Sequence, residues 1–581
     1  MSAEGGPRHD SFRATLLASA ALGAALGLCF PTPQVAIEPA QVLAGLVHYP
    51  PDNPFGLYER RVWTIWHQLL APLLAAGVPE RISSFALSGL VGALSFAALA
   101  GFAWACGAPL LLSVASPLFL WMLDPIAWGF RYPILLFGSQ HTYGMTGLAW
   151  MVLAVAVLAA GRVRLGAFLL GIGVAVHPSL GLWVGIATAA CLLVDWQTTR
   201  SQFSDLLRGG GLGLALAGLS LALHLAGQTS GPVVDPAVVG RHMDAYFRDW
   251  DLHRGAIVLF DRNGALLAVG VGIALLGIVR AESVASALAF RVYVACASLG
   301  VAFVVLHRDV PVGVLPTALL AAMPTRVLNL PMITFVPLLI AAFAVRRDQP
   351  IARWAILVLG AASLVRYLAP ELVHGAVFAL GLLALTLLGR AAPRPREAVE
   401  APSRRLGGPL ERAAQLLLVL AVGVALIATA WGLPKRAARL LDRSNEPVFE
   451  AAARRTEGLL LVAPGLSMMQ FATRRPIVLD PDAIDMLPYA PAAAPAVARI
   501  VGEVYGIDFF APPRSMRNLV VIRPDPVRPV WTQRDAATWS ELSRRFGFGA
   551  VIAPPDWKLA LPEIARSPIA VLYGVGVQEG N

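Results

Sequence analysis

Apolar runs close to the length of a membrane crossing recur along the chain to about residue 433, separated by short polar connections. The first covers Ala14–Phe30, after Arg8 and Arg13. Further runs fall at 83–105, 109–123, 143–160, 165–194, 210–226, 263–279, 292–306, 330–345, 351–368, 372–389 and 413–431. The 165–194 run is too long for one simple span. His177-Pro178 interrupts it, and proline removes an amide donor while disfavouring helix at the residue before it. Two short helices meeting there are predicted, for about 13 spans in all.

Beyond residue 434 the pattern changes. EPVFEAAARRTE, SMMQFAT, PAVARIVGEVYG and ATWSELSRRFG read as helices. GLLLVA, RPIVLD, NLVVIR, AVIAP and IAVLYGV read as strands. Alternation with short apolar strands predicts a small α/β domain with a largely parallel sheet. The expected organisation is a polytopic α-helical membrane domain over 1–433 and a C-terminal soluble α/β domain over 434–581. The tail has no Gly-x-Gly-x-x-Gly and no phosphate-binding Gly-x-x-x-x-Gly-Lys.

Composition agrees with the membrane class. The chain is 57% hydrophobic and 14% charged, where a soluble chain carries about a quarter charged residues. The net charge of +10 suggests a nucleic-acid partner only until the basic residues are placed. Arg162 and Arg164, Arg200 and Arg208, Arg280 and Arg291, and Arg346, Arg347 and Arg353 all fall in alternate short loops. So does the Pro-rich linker RAAPRPREAVEAPSRRLGGPLER. By the positive-inside rule these loops and the N-terminus face the cytoplasm. The first loop, the 124–142 loop, the 227–262 loop, the 307–329 region and the tail then lie outside. No nucleic-acid partner is expected. Cys29, Cys106, Cys191 and Cys296 lie in or beside apolar runs without metal spacing, and read as small buried residues. Lys435 and Lys558 are the only lysines, a skew that suggests a GC-rich bacterial genome.

Candidate chemistry collects in the outer loops. The first, PTPQVAIEPAQVLAGLVHYPPDNPFGLYERRVWT, carries Glu38, His48, Asp52 and Glu59. Prolines 50, 51 and 54 predict an irregular stretch around Asp52. An acid there can act as a general base or hold a divalent metal. A turn role accounts for Asp52 equally, and an ion pair with Arg60 or Arg61 accounts for Glu59. The second loop carries Asp124, Arg131 and His141 among aromatic residues suited to a membrane interface. The third, RHMDAYFRDWDLHRG, reads as an amphipathic helix lying on the membrane, or as a headgroup site in which Arg248 and Arg254 hold phosphate. Arg326 sits between apolar runs, where an ionisable group is costly and its fork suits a phosphate. His177 sits at the helix break.

These features resemble the C-type (GT-C) membrane glycosyltransferases. One span leads from a cytoplasmic N-terminus into a long acid-bearing outer loop, here with Asp52. A second outer loop has an acid near its start, here Asp124. Short paired helices follow, here broken at AVHPSLGLW, and an outer domain follows the last span. The resemblance implies an inverting glycosyltransferase at the outer face of a bacterial inner membrane. It would take sugar from a polyprenyl-phosphate donor to an envelope acceptor. Asp52 becomes the candidate base, with Glu59 the alternative. Arg326, Arg131, His141, Arg248, Arg254 and His177 are the candidate substrate contacts. Many members carry an adjacent acid pair in the first loop. None stands here, so Asp52, Glu59 and Glu38 remain alternatives and a metal requirement stays open. Two other functions fit the class: a transporter or flippase of a lipid-linked or small anionic substrate, and a non-catalytic scaffold of envelope assembly. Transporters usually show internal repeats, and none is evident.

Overall fold

A computed structural model describes residues 7–123, 128–130, 136–228, 231–251, 257–281, 284–310, 314–346, 348–365, 370–390, 422–423, 426–427, 429–455 and 457–575. Helix dominates it. Among the described residues, eight helices are long and apolar enough to cross a membrane: Asp10–Leu28, Glu80–Ala105, Thr142–Ala159, Arg200–Ala226, Arg262–Arg280, Ala287–Asp309, Ala318–Val345 and Leu372–Gly389. Ile65–Ala75, Leu110–Met122, Val163–Val176, Pro178–Val194 and Pro350–Ser363 are shorter apolar helices. The expected spans at 109–123 and 351–368 are therefore short helices, the 165–194 run forms the two short helices expected, and the count of about 13 spans is not reached among the described residues. Leu110–Met122 has 13 residues, about 20 Å at 1.5 Å per residue, against a hydrocarbon core near ~30 Å. Most of the 413–431 run lies outside the described residues. Ile65–Ala75 was not among the expected elements; at 11 residues with Pro72 inside, it is too short for a hydropathy signal.

Asn329–Val345 is apolar on all sides, and every residue from Asn329 to Ala344 is buried. A helix of that kind belongs at the centre of a bundle. The short helical turn Pro324–Leu328, which holds Arg326, leads straight into it.

A second apolar core lies beyond the bundle. First-loop residues Ile37, Phe55 and Trp66 pack in one cluster with Tyr246 and Trp250 and with Leu460, Val462, Trp531 and Trp539. The first loop and the C-terminal region therefore pack together at one side of the bundle. Their packing crosses the boundary expected at 433/434.

The C-terminal sheet has four strands, β1 (Leu459–Val462), β2 (Phe548–Ala553), β3 (Glu563–Arg566) and β4 (Val571–Gly574). Their order is β1-β2-β4-β3. β1 and β2 pair in parallel, whereas β2–β4 and β3–β4 are antiparallel. This corrects the largely parallel sheet expected. RPIVLD contributes only the Leu460–Ile477 bridge. NLVVIR forms no strand, because Asn518 and Val520 take φ of 60° and 55°, which no extended strand accommodates. Its amides bond to Asp249 and Trp250 carbonyls instead.

That contact places the third outer loop. Pro236–Asp249 is a helix capped by Asp235. Its buried face, Met243, Tyr246 and Phe247, joins the second core. Trp250 stacks on Phe509 at 5.6 Å and donates from Nε1 to its carbonyl at 2.8 Å. The apolar face expected to lie on lipid is thus covered by the C-terminal region.

Candidate functional site

The first loop contains the helix Pro54–Arg61, where an irregular stretch was expected. Asn53 caps it, with Oδ1 accepting from the Gly56 amide at 2.7 Å. Pro54 occupies the first turn, where a missing amide costs nothing. The helix turns Glu59 inward and leaves Asp52 exposed in the preceding turn. Glu59 is 4% exposed, and its Oε2 has no hydrogen-bond partner.

Two more buried acids surround Glu59. Glu38 Oε1 accepts from the Phe471 amide at 3.0 Å. Asp480 accepts from the Met468 amide at 3.2 Å and the Asp482 amide at 2.9 Å. Burial pushes Glu59 well above the usual carboxylate range, and repulsion from Glu38 and Asp480 adds to it. Burial likewise raises Glu38, with Asp480 adding to the rise and the Phe471 amide opposing it. Asp480 is raised by burial, then by Asp482, against the two amides it accepts from. Unfavourable placement of three carboxylates is maintained by the neutral contacts around them. Tyr49 donates to Gln470 Oε1 at 2.5 Å, Gln470 donates to the Glu38 carbonyl at 2.8 Å, and Asn53 Nδ2 donates to the Ile477 carbonyl at 3.0 Å.

A separate ion cluster holds the C-terminal region to the bundle. Glu80, the first residue of a long span and 0% exposed, accepts from Arg474, from Arg443 at 3.0 Å and from Gln41 at 3.0 Å.

Near the acids, side chains of the bundle and of the C-terminal region come within electrostatic reach of one another. His141, just before the Thr142–Ala159 helix, is solvent-accessible. Its pKa is nonetheless lowered, first by the protein packed around it and also by Arg326, with Asp485 opposing. Asp485, Arg326 and Tyr58 are half-buried, and Tyr489 is 40% exposed. The Tyr58 and Tyr489 rings lie 6.2 Å apart. Tyr58 links this group to the acids: burial raises its pKa, and Tyr143, Asp485 and Glu59 raise it further. Tyr143 in turn meets His67 at 2.7 Å.

Arg326 also lines a void of about 10 Å³ with Gly144, Leu148, His177, Leu180 and Asn329. His177 ends one short helix and caps the next, its Nδ1 accepting from the Leu180 amide at 3.3 Å. The Thr142–Ala159 helix approaches this break closely, since a Cβ on Gly147 would lie 2.4 Å from the His177 Cβ.

Of the residues singled out in the sequence, the structure brings Glu59, His141, Arg326 and His177 to this junction. Arg248 is elsewhere, 64% exposed and paired with the adjacent Asp249 at 2.9 Å. Asp124, Arg131 and Arg254 lie outside the described residues. Asp480, Asp485 and Glu80 were missed. The only signal was an acid closing the apolar stretch in RPIVLD. Among the described residues, no group of three His, Cys, Asp or Glu is placed to hold a metal ion. No family model matches the chain, and no curated protein or solved structure is similar to it.

Proposed function

We propose that this chain is a membrane glycosyltransferase of the GT-C-like kind. It moves a sugar from a polyprenyl-phosphate donor to an envelope acceptor at the outer face of the bacterial inner membrane. The observation that carries the reading is that Arg326 and Asp485 both act on His141, while Asp485 and the buried Glu59 both act on Tyr58. Four separate parts of the chain supply these groups, and the Arg326 guanidinium suits a phosphate-bearing substrate.

In this reading Glu59, not Asp52, is the base. A buried carboxylate of raised pKa is the stronger proton acceptor once ionised, and Asp52 is exposed. The acceptor hydroxyl transfers its proton to Glu59 as its oxygen bonds to the anomeric carbon. The bond from that carbon to the phosphate oxygen breaks with inversion, and the lipid phosphate leaves with the electron pair. Arg326 stabilises the charge developing on that phosphate.

Purified protein given a panel of polyprenyl-phosphate sugars should transfer at least one of them to an envelope glycan. Arg326→Ala should lower that rate about a hundredfold, the loss typical of one oxyanion-stabilising donor. Uptake of the lipid-linked sugar into liposomes without a glycosylated product would contradict the proposal and favour transport.

A further inference from the structure

A groove of about 550 Å³ opens on the C-terminal region, and neither Arg326, His141 nor Asp485 lines it. Helix Pro236–Asp249 supplies one wall through His242. Helix Ala494–Glu503 supplies Arg499, and the following turn supplies Asp508 and Phe510. The turn depends on Gly506 at φ +72°, where a Cβ would lie 2.9 Å from Val530. The volume falls within the ~300–1,000 Å³ typical of small-molecule sites.

We propose that this groove binds a neutral oligosaccharide. Phe510 leaves 47% of its surface exposed, with its ring 4.9 Å from His242. A large aromatic ring held open to water offers a face to the C–H side of a sugar ring. Polar groups of both kinds flank it. Asp508 Oδ1 accepts from the Phe510 amide at 2.8 Å, which fixes the carboxylate and leaves Oδ2 to accept from hydroxyls. His242 Nδ1 lies 2.7 Å from the Val238 carbonyl. A carbonyl only accepts, so Nδ1 carries the hydrogen and Nε2 of the neutral ring is an acceptor. Arg499 is exposed and donates. Hydroxyls both donate and accept, and so match a mixed set. An anion would meet Asp508, and an apolar peptide would leave these three groups unpaired. The inference does not rest on the transfer reading. Where both hold, the groove holds the acceptor glycan.

Saturation-transfer NMR on the full chain in nanodiscs, with maltotriose, cellotriose, chitotriose and mannotriose as probes, tests this without any transfer step. At least one trisaccharide should take up saturation through its ring C–H protons. Phe510→Ala should weaken its binding about tenfold, and Asp508→Asn, which preserves the turn, several-fold. Raising the salt should change neither. Silence with all four probes overturns the inference, as does equal binding by wild type and Phe510→Ala. Salt-sensitive binding of glycerol phosphate in place of the sugars also overturns it.

Discussion

Glu59 shows how far one turn of helix can change the meaning of a residue. In the sequence, Asp52 and Glu59 are equivalent acids of one loop. The Asn53 cap starts a helix between them, leaving the first in water and burying the second. The acids around Glu59 carry a sign that can be checked. Glu38 rises from 4.5 to about 8 and Asp480 from 3.8 to about 7. The folded state therefore holds more protons than the unfolded chain between those limits, and its stability falls as pH rises through them. Thermal unfolding in detergent should give a lower midpoint at about pH 9 than at about pH 5. Glu38→Gln with Asp480→Asn should flatten that dependence, and a midpoint that rises with pH would contradict the assignment.

Among the elements, helices were legible wherever apolar period and length decide the outcome. Glu80–Ala105, Thr142–Ala159 and Arg262–Arg280 fall within a few residues of their expected limits. The His177-Pro178 break is where proline chemistry places it. Strands were less legible, because NLVVIR has strand composition but two residues of positive φ imposed by contacts with Asp249 and Trp250. The Pro54–Arg61 helix was hidden by its prolines, although Pro54 sits where a helix tolerates one. Its cap is also a docking contact, since Asn53 Nδ2 reaches the Ile477 and Val478 carbonyls. Asn53→Ala should destabilise the first-loop junction by about 2 kcal/mol, the cap and one buried bond together. Limited proteolysis of the C-terminal region should accelerate accordingly, while the long helices stay protected. Unchanged proteolysis would mean that the cap has no part in docking.

At the scale of the molecule, the candidate site belongs to neither expected domain. The bundle supplies Arg326 and His141, the first loop supplies Tyr58 and Glu59, and the tail supplies Asp485 and Tyr489. Sequence reasoning reached Arg326, His141 and Glu59 as charged or titratable groups of the loops, and did not single out Tyr58 or Tyr489. It missed Asp480 and Asp485 because pairing across the whole chain leaves no local pattern. The shared core of first loop and tail makes a topological prediction. In a Cys29→Ser background, Asp52→Cys and Arg544→Cys, both exposed positions, should react with an impermeant maleimide from the same side. Arg164→Cys, exposed in the first turn of the Val163–Val176 helix, should react only from the other. Labelling of the first two from opposite sides would be incompatible with the fold.

The most direct measurement is the sugar-transfer rate of two purified variants beside the wild type. Glu59→Gln should lose at least about a hundredfold of the rate, as expected on removing a general base, while Asp52→Asn keeps wild-type activity. Full transfer by Glu59→Gln, or loss confined to Asp52→Asn, would contradict the account.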